Sequence, residues 1–337
     1  MTGWKDKLNG DPVPWLLEND RSQPAIRYYA LRDILGRDEN DKEVKAAKAA
    51  IMTSGPVPVI LEEYWDKPGF SFRPKYRRTE YTLINMAQLG ADGADPRIRA
   101  GCEILLSRYI DSNGGLSFTG ALSDFSHCTA GIMGAALIDF GWLDDPRLQT
   151  AMEWLAQTIT GEGVADASSR DTKKRYEKSG YSSPPFACSD RNANLPCAWG
   201  AIKAMIALNK VPQAQRTKSM HEAIKLGVDF LLSRDPAVAD YPFNTGNRPS
   251  SRWFTFFYPL GTSADVLQNL EVLAAMGQAQ NPRLANALDL VISKQNRQGR
   301  WRLEHTYVGI QEKKGQPSKW ITLRALRVLK AAYPEKG

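Results

Sequence analysis

The sequence predicts an all-α fold in which paired helices repeat and close into a double ring, about six inner and about six outer, around a central cavity. Three observations predict it. Strand-like alternation is nearly absent while helical periodicity is strong. A two-helix unit of about 50–70 residues recurs along the chain, and such a unit buries its apolar face only by stacking on its neighbours. The first helix of each unit is apolar on almost all sides, which suits burial on both faces and favours a closed ring over an open solenoid.

The clearest copies are "TLINMAQLGADGADPRIRAGCEILLSRY", "IMGAALIDFGWLDDPRLQTAMEWLAQTI" and "DVLQNLEVLAAMGQAQNPRLANALDLVISKQ". Each reads as helix, glycine, turn, Asp/Asn-Pro-Arg, helix. Asp95, Asp145 and Asn281 are placed as N-caps, and Pro96, Pro146 and Pro282 as first-turn residues, where the missing N–H costs nothing. A weaker copy spans residues 197–233. Inner helices are expected to begin near residues 24, 78, 128, 197, 261 and 318. Outer helices are expected near 41, 96, 146, 214 and 283, with a short segment near 13.

The 337 residues, 42% hydrophobic and 24% charged, are read as a single domain with enough apolar side chains for a sizeable core. No apolar run approaches the roughly 18 residues of a bilayer span. The opening "MTGWKDKLNGDPVPW" lacks a signal-peptide pattern, so a cytoplasmic location is expected. The net charge of +7 fits either solvated helix faces or a basic lining that attracts an anionic substrate. The cations form no block, and no nucleic-acid-binding motif is present. Four cysteines in such a chain argue against a disulfide framework.

"LVISKQNRQGRW" places Gln295, Gly299 and Trp301 in the Q-x-x-x-G-x-W spacing, and "LLSRYIDSNGGLSF" is a degenerate copy. On these motifs the chain resembles the prenyltransferase and squalene/hopene-cyclase repeat superfamily. The resemblance implies an α/α toroid whose active site is a central cavity at the N-terminal ends of the inner helices. The sequence also departs from that family. It has no D-x-D-D and no D-D-x-x-D. Cys197 stands at a helix start like the zinc-binding cysteine of protein prenyltransferases, but Leu195 occupies the position of the accompanying aspartate.

Three cysteines are expected at inner-helix starts: Cys128 in "SDFSHCTAGIMG", and Cys188 and Cys197 at the ends of "CSDRNANLPC". Helix starts favour thiolates. Three thiolates with His127, Asp190, His305 or water as fourth ligand would suit zinc. Alternatively the cysteines are paired thiols that move protons, or packing residues. Cys102 and His221 read as structural. Asp124, His127, Asp265 and His305 are candidate general acids or bases; for both aspartates the competing role is an N-cap. Asp265 is favoured for chemistry because Thr262 or Ser263 could serve as cap.

Tyr76, Trp199, Trp253 and Tyr258 are candidate walls for an apolar or aromatic ligand, with core packing as the alternative. Lys75, Arg252 and Lys319 could hold a carboxylate, or be solvated. The polar stretch 161–187 reads as a lid or a surface loop. Together these point to an enzyme acting on a small hydrophobic or aromatic, anionic molecule, by zinc-assisted hydrolysis or lysis. The alternatives are a cofactor-free cyclase, isomerase or dehydratase using Cys, His and Asp, and a non-catalytic ligand-binding module.

Overall fold

The computed structural model describes residues 3–64, 79–121, 125–161, 186, 197–238, 250–307 and 312–335. The chain is all-α. Among the described residues no strand forms, and extended pairing is confined to isolated bridges such as Ile110 with Leu116 and Phe257 with His305. The helices are α1 Pro24–Tyr29, α2 Lys42–Thr53, α3 Pro56–Tyr64, α4 Thr79–Gln88, α5 Pro96–Arg108 and α6 His127–Asp139, followed by α7 Pro146–Thr160, α8 Ala198–Lys210, α9 Lys218–Leu232, α10 Val266–Ala275, α11 Ala285–Ser293 and α12 Lys319–Ala332. A single turn, Val13–Leu16, precedes them.

The repeat junctions form as their sequence dictates. Asp95 and Asp145 each accept the N–H of the arginine two residues on, at 2.9 Å, and Asn281 does the same at 3.1 Å. Arg97 and Arg147 fold back so that their guanidinium groups also bind the capping carboxylate. Burial drives little of this; a local turn and a local charge pair suffice. Helix α3 lies outside the repeat pattern. It starts with Pro56 directly after Gly55, whose left-handed φ of +74° turns the chain. Helix α10 starts some five residues later than the repeat spacing suggests, because Asp265 fixes its start. Thr217 likewise sets the start of α9 by accepting the Met220 N–H.

The residues fall into two compact units: Met1–Asp92 with Phe254–Leu260 and Asp265–Gly337, and Gly93–Trp253 with Gly261–Ala264. In the first unit α12 is buried on nearly all sides, among α1, α10 and the Ala30–Ile34 turn. The Q-x-x-x-G-x-W turn closes this unit's ends. Gln295 accepts the Asn9 N–H at 2.8 Å and donates to Lys7 O at 2.8 Å, tying down the N-terminal segment. Gly299 has φ +70°, and a Cβ there would lie 2.2 Å from Gly10 O, so no side chain fits. The Trp301 indole, fully buried, donates to Val291 O at 2.7 Å.

Also in this unit, residues Lys42–Glu62 reach the length and mean hydropathy (1.2) of a bilayer-crossing helix. The segment is two helices broken at Ser54–Gly55, and Val44, Ile51, Val57 and Leu61 are buried in the unit's own core.

In the second unit α6 and α8 cross at very close range. A Cβ on Gly131 would sit 2.3 Å from the Lys203 carbonyl carbon, so only glycine permits the approach. A Cβ on Gly227 of α9 would lie 2.3 Å from the Met205 sulfur of α8, so a larger residue there would force that side chain to move. Helix α6 is apolar and small-residue-rich because it is enclosed: Ala130 to Leu137 are all buried.

Candidate active site

The close crossing of α6 and α8 brings their N-terminal ends side by side. A Cβ built on Gly200 would lie 3.3 Å from the His127 Cβ and 3.9 Å from the Cys128 backbone nitrogen. Cys128 stands in the first turn of α6, and Cys197 is the N-cap residue of α8. Lys203, on the next turns of α8, is wholly buried. Helical side chains lean toward the N-terminus, which carries the Lys203 ammonium back toward the thiols.

The electrostatics follow from that arrangement. Burial pushes the Cys128 thiol up from its ordinary value, and the neighbouring Cys197 adds to the rise. The hydroxyls of Ser126 and Thr129 and the Lys203 charge pull the other way without cancelling it. Cys128 Sγ lies 3.3 Å from Ser126 Oγ, which also donates to Thr129 Oγ1 at 2.8 Å. At neutral pH Cys128 is therefore a protonated thiol whose conjugate base already has hydroxyl and ammonium partners.

His127 is 1% exposed. Its ring sits edge-on to Phe125 and Phe186, at 5.8 and 5.5 Å. Nε2 lies 3.3 Å from Thr158 Oγ1, and Nδ1 has no partner. Burial lowers its pKa to about 4, so the imidazole is neutral. Phe186 accepts the Cys197 N–H at 3.0 Å from a left-handed backbone (φ +68°), an uncommon state for a bulky residue.

Of the residues expected to act, the structure thus gathers His127, Cys128 and Cys197, with Trp199 half-buried beside them on α8. Lys203 was not anticipated. Its signal was available in "AWGAIKAMIAL", a single cation inside an apolar helix. Cys188, Asp190, Asp124, Lys75, Tyr76 and nearly all of the 161–187 stretch lie outside the described residues. Among the described residues no group of three or more His, Cys, Asp or Glu is placed to hold a metal ion.

Elsewhere the geometry corrects several expectations. Neither Thr262 nor Ser263 caps α10. Asp265 does so itself, accepting the Gln268 N–H at 2.7 Å, and it also pairs with Arg324 at 2.9 Å. A carboxylate already shared between a cap and a guanidinium is a poor proton shuttle. Lys319 does not wait for a substrate carboxylate, since Glu18 and Asp20 each hold its ammonium at 3.0 Å. Trp253 is not a pocket wall. It is fully enclosed, with its indole donating to Pro236 O at 2.8 Å. Tyr258 is buried and stacked on Trp320, centroids 4.2 Å apart. His305 meets Phe257 and Tyr307 edge-on, and Arg252 is exposed on the turn Ser251–Phe254. Cys102 is buried and its thiol is pushed up to about 12, as a packing residue requires; His221 is exposed on α9.

No protein-family model matches the chain, and no curated protein does.

Proposed function

We propose that this protein is an enzyme that isomerises or dehydrates a small, largely apolar molecule, with Cys128 and Cys197 as the groups that give and take protons. The observation that carries this reading is the gathering of two thiols, a buried lysine and a neutral imidazole at two adjoining helix starts. Cys128, protonated at neutral pH, donates its proton to an alkene carbon or a leaving hydroxyl. The thiolate left behind is stabilised by Ser126, Thr129, the Lys203 charge and the first-turn N–H groups of α6. A thiolate of the pair then removes a proton from the adjacent carbon, so an isomerisation leaves no net proton change and a dehydration releases only water. His127 orients the site through Thr158 and stays uncharged. The aromatic rings of Phe125 and Phe186 keep water away.

The wider architecture belongs to the same proposal: the repeated hairpins close as an α/α toroid like that of the squalene-cyclase superfamily, with this site at the inner-helix N-termini. Zinc held by Cys128, Cys197 and Cys188 is the competing reading, favoured by the proximity of two thiols. Metal analysis separates the two. About one zinc per chain, lost in Cys197→Ala, would replace the proton-transfer mechanism.

The direct test is the pH dependence of alkylation at Cys128, followed by peptide mass mapping. The thiolate should appear only above the ordinary thiol range, and Lys203→Met should move that onset further up. In a turnover screen of small alkenols, Cys128→Ser should lower the rate by about 10²–10⁴-fold. An unchanged alkylation profile in Lys203→Met, or full turnover in the doubly substituted Cys128→Ser, Cys197→Ser protein, sinks the proposal.

A further inference from the structure

A second site lies in the same unit along α7. A cavity of about 520 Å³, in the range of small-molecule sites, runs between α7 and the 211–220 segment. Glu153 and Trp154 of α7 line one side, and Thr217, the N-cap of α9, lines the other. Leu143, Met152, Val211 and Met220 supply its apolar surface.

Charge selects the class of ligand. Among the described residues the lining contains no lysine, arginine or histidine. Its one charged group is the Glu153 carboxylate, which accepts the Thr217 hydroxyl at 2.6 Å and the Gln157 amide at 3.0 Å. Both donors are neutral, so they orient the carboxylate without cancelling its charge. The start of α9 beside it carries about half a positive charge, which leaves the cavity net negative. At the head of α7 the carboxylates are matched, since Asp145 and Glu103 both hold Arg147. Glu153 has no such cation among the described residues.

The adjoining indole points the same way. Cations of this protein settle on half-buried indoles: Arg300 lies 4.1 Å from the Trp15 ring centre, and Arg99 lies 5.0 Å from that of Trp142. Trp154 is also half-buried, and among the described residues neither a cation nor another ring covers it. An indole face attracts positive charge, and thioethers suit the apolar groups that surround an organic cation. A hydrated metal ion gains nothing from such walls. An ammonium on an apolar body uses both the carboxylate and the walls.

We infer that this cavity binds a small organic ammonium ion, its charged head at Glu153 and Trp154 and its apolar part against Met152 and Met220. The inference does not draw on the thiols. The test is saturation-transfer NMR on the full chain with benzyltrimethylammonium and choline, each up to about 10 mM. The neutral control is the choline analogue in which a tert-butyl group replaces trimethylammonium; benzoate is the anionic control. Both cations should bind, choline several-fold tighter than its uncharged analogue, and benzoate should not bind. Glu153→Gln, which keeps the hydrogen-bonding shape and removes the charge, and Trp154→Leu should each weaken benzyltrimethylammonium about fivefold. Circular dichroism confirms that the variants are folded, and the comparison of choline with its analogue stands without them. Silence from both cations, an uncharged analogue that binds as well as choline, binding of benzoate, or an affinity unchanged in either folded variant overturns the inference.

Discussion

The two units treat their buried cations differently: the first matches them with carboxylates, the second sets a lysine beside two thiols. In the first unit Arg324 binds Asp265 at 2.9 Å, Glu271 at 2.8 Å and the Phe257 carbonyl at 3.0 Å. Burial works against its charge, but the two carboxylates outweigh that and hold its pKa above the usual value. Lys319 is matched by Glu18 and Asp20 in the same way. Arg324 and Lys319 thus each find their counter-charges inside the unit, which is what structural ion pairs look like. In the second unit His127 Nδ1, Trp154 Nε1 and Asp111 Oδ2 are buried with no partner, and Cys128 carries a raised pKa beside a buried lysine. Unpartnered buried polar atoms occur in both units, Tyr258 Oη, Asn269 Nδ2 and Trp320 Nε1 among those of the first, so the contrast lies in the buried cations: matched by carboxylates in the first unit, set beside thiols in the second.

The largest expected effect tests the first half of that contrast. Arg324→Met should leave Asp265 and Glu271 facing each other without a cation and destabilise the protein by about 3–5 kcal/mol, read by urea denaturation. Thiol alkylation at Cys128 in the folded protein should be unaffected. If Arg324→Met is neutral, the network is not structural.

Next comes a pH effect in the second unit. The His127 pKa is lowered to about 4 in the folded state, against an ordinary value of 6.5. Between these values the unfolded chain binds more protons than the folded one, so stability rises with pH. His127 should contribute on the order of 3 kcal/mol above pH 6.5, lost as pH falls from about 6.5 to 4. Denaturation midpoints of the wild type should fall across that window, and His127→Gln should flatten the fall. An equal slope in both proteins would show that His127 is not the buried neutral group described.

The smallest effect is a control shared by both units. Asp145 in the second unit caps α7, and Asn281 in the first caps the 3₁₀ turn Pro282–Leu284 that leads into α11, by the same bond. Alanine at either should cost about 1 kcal/mol. A much larger loss at one would mean that the repeat junctions are not equivalent.

The same division runs through what could be read in advance. Caps and turns were legible because they depend on neighbours in sequence. The "DSNGGL" and "QNRQGRW" turns show this well. Asp111 and Asn296 accept the N–H groups two and four residues on, and each backbone N–H reaches the carbonyl four residues away. Gly114 and Gly299 both take positive φ. Yet Gln295 and Trp301 fasten one turn to its unit, while Gly115 in the other leaves a carboxyl oxygen unpaired beside an indole. That difference depends on Trp154, about forty residues away, and no local pattern encodes it.

The sequence by itself determined the all-α class, the helix junctions and the placing of Cys128 and Cys197 at helix starts, because short-range hydrogen bonding and periodicity fix them. The tertiary structure decided which charged side chains were already spoken for. Asp265 and Lys319 looked free until Arg324, Glu18 and Asp20 came into reach. It also decided that Lys203 lies buried beside a thiol, since a helix's neighbours in space set the cost of each charge it buries.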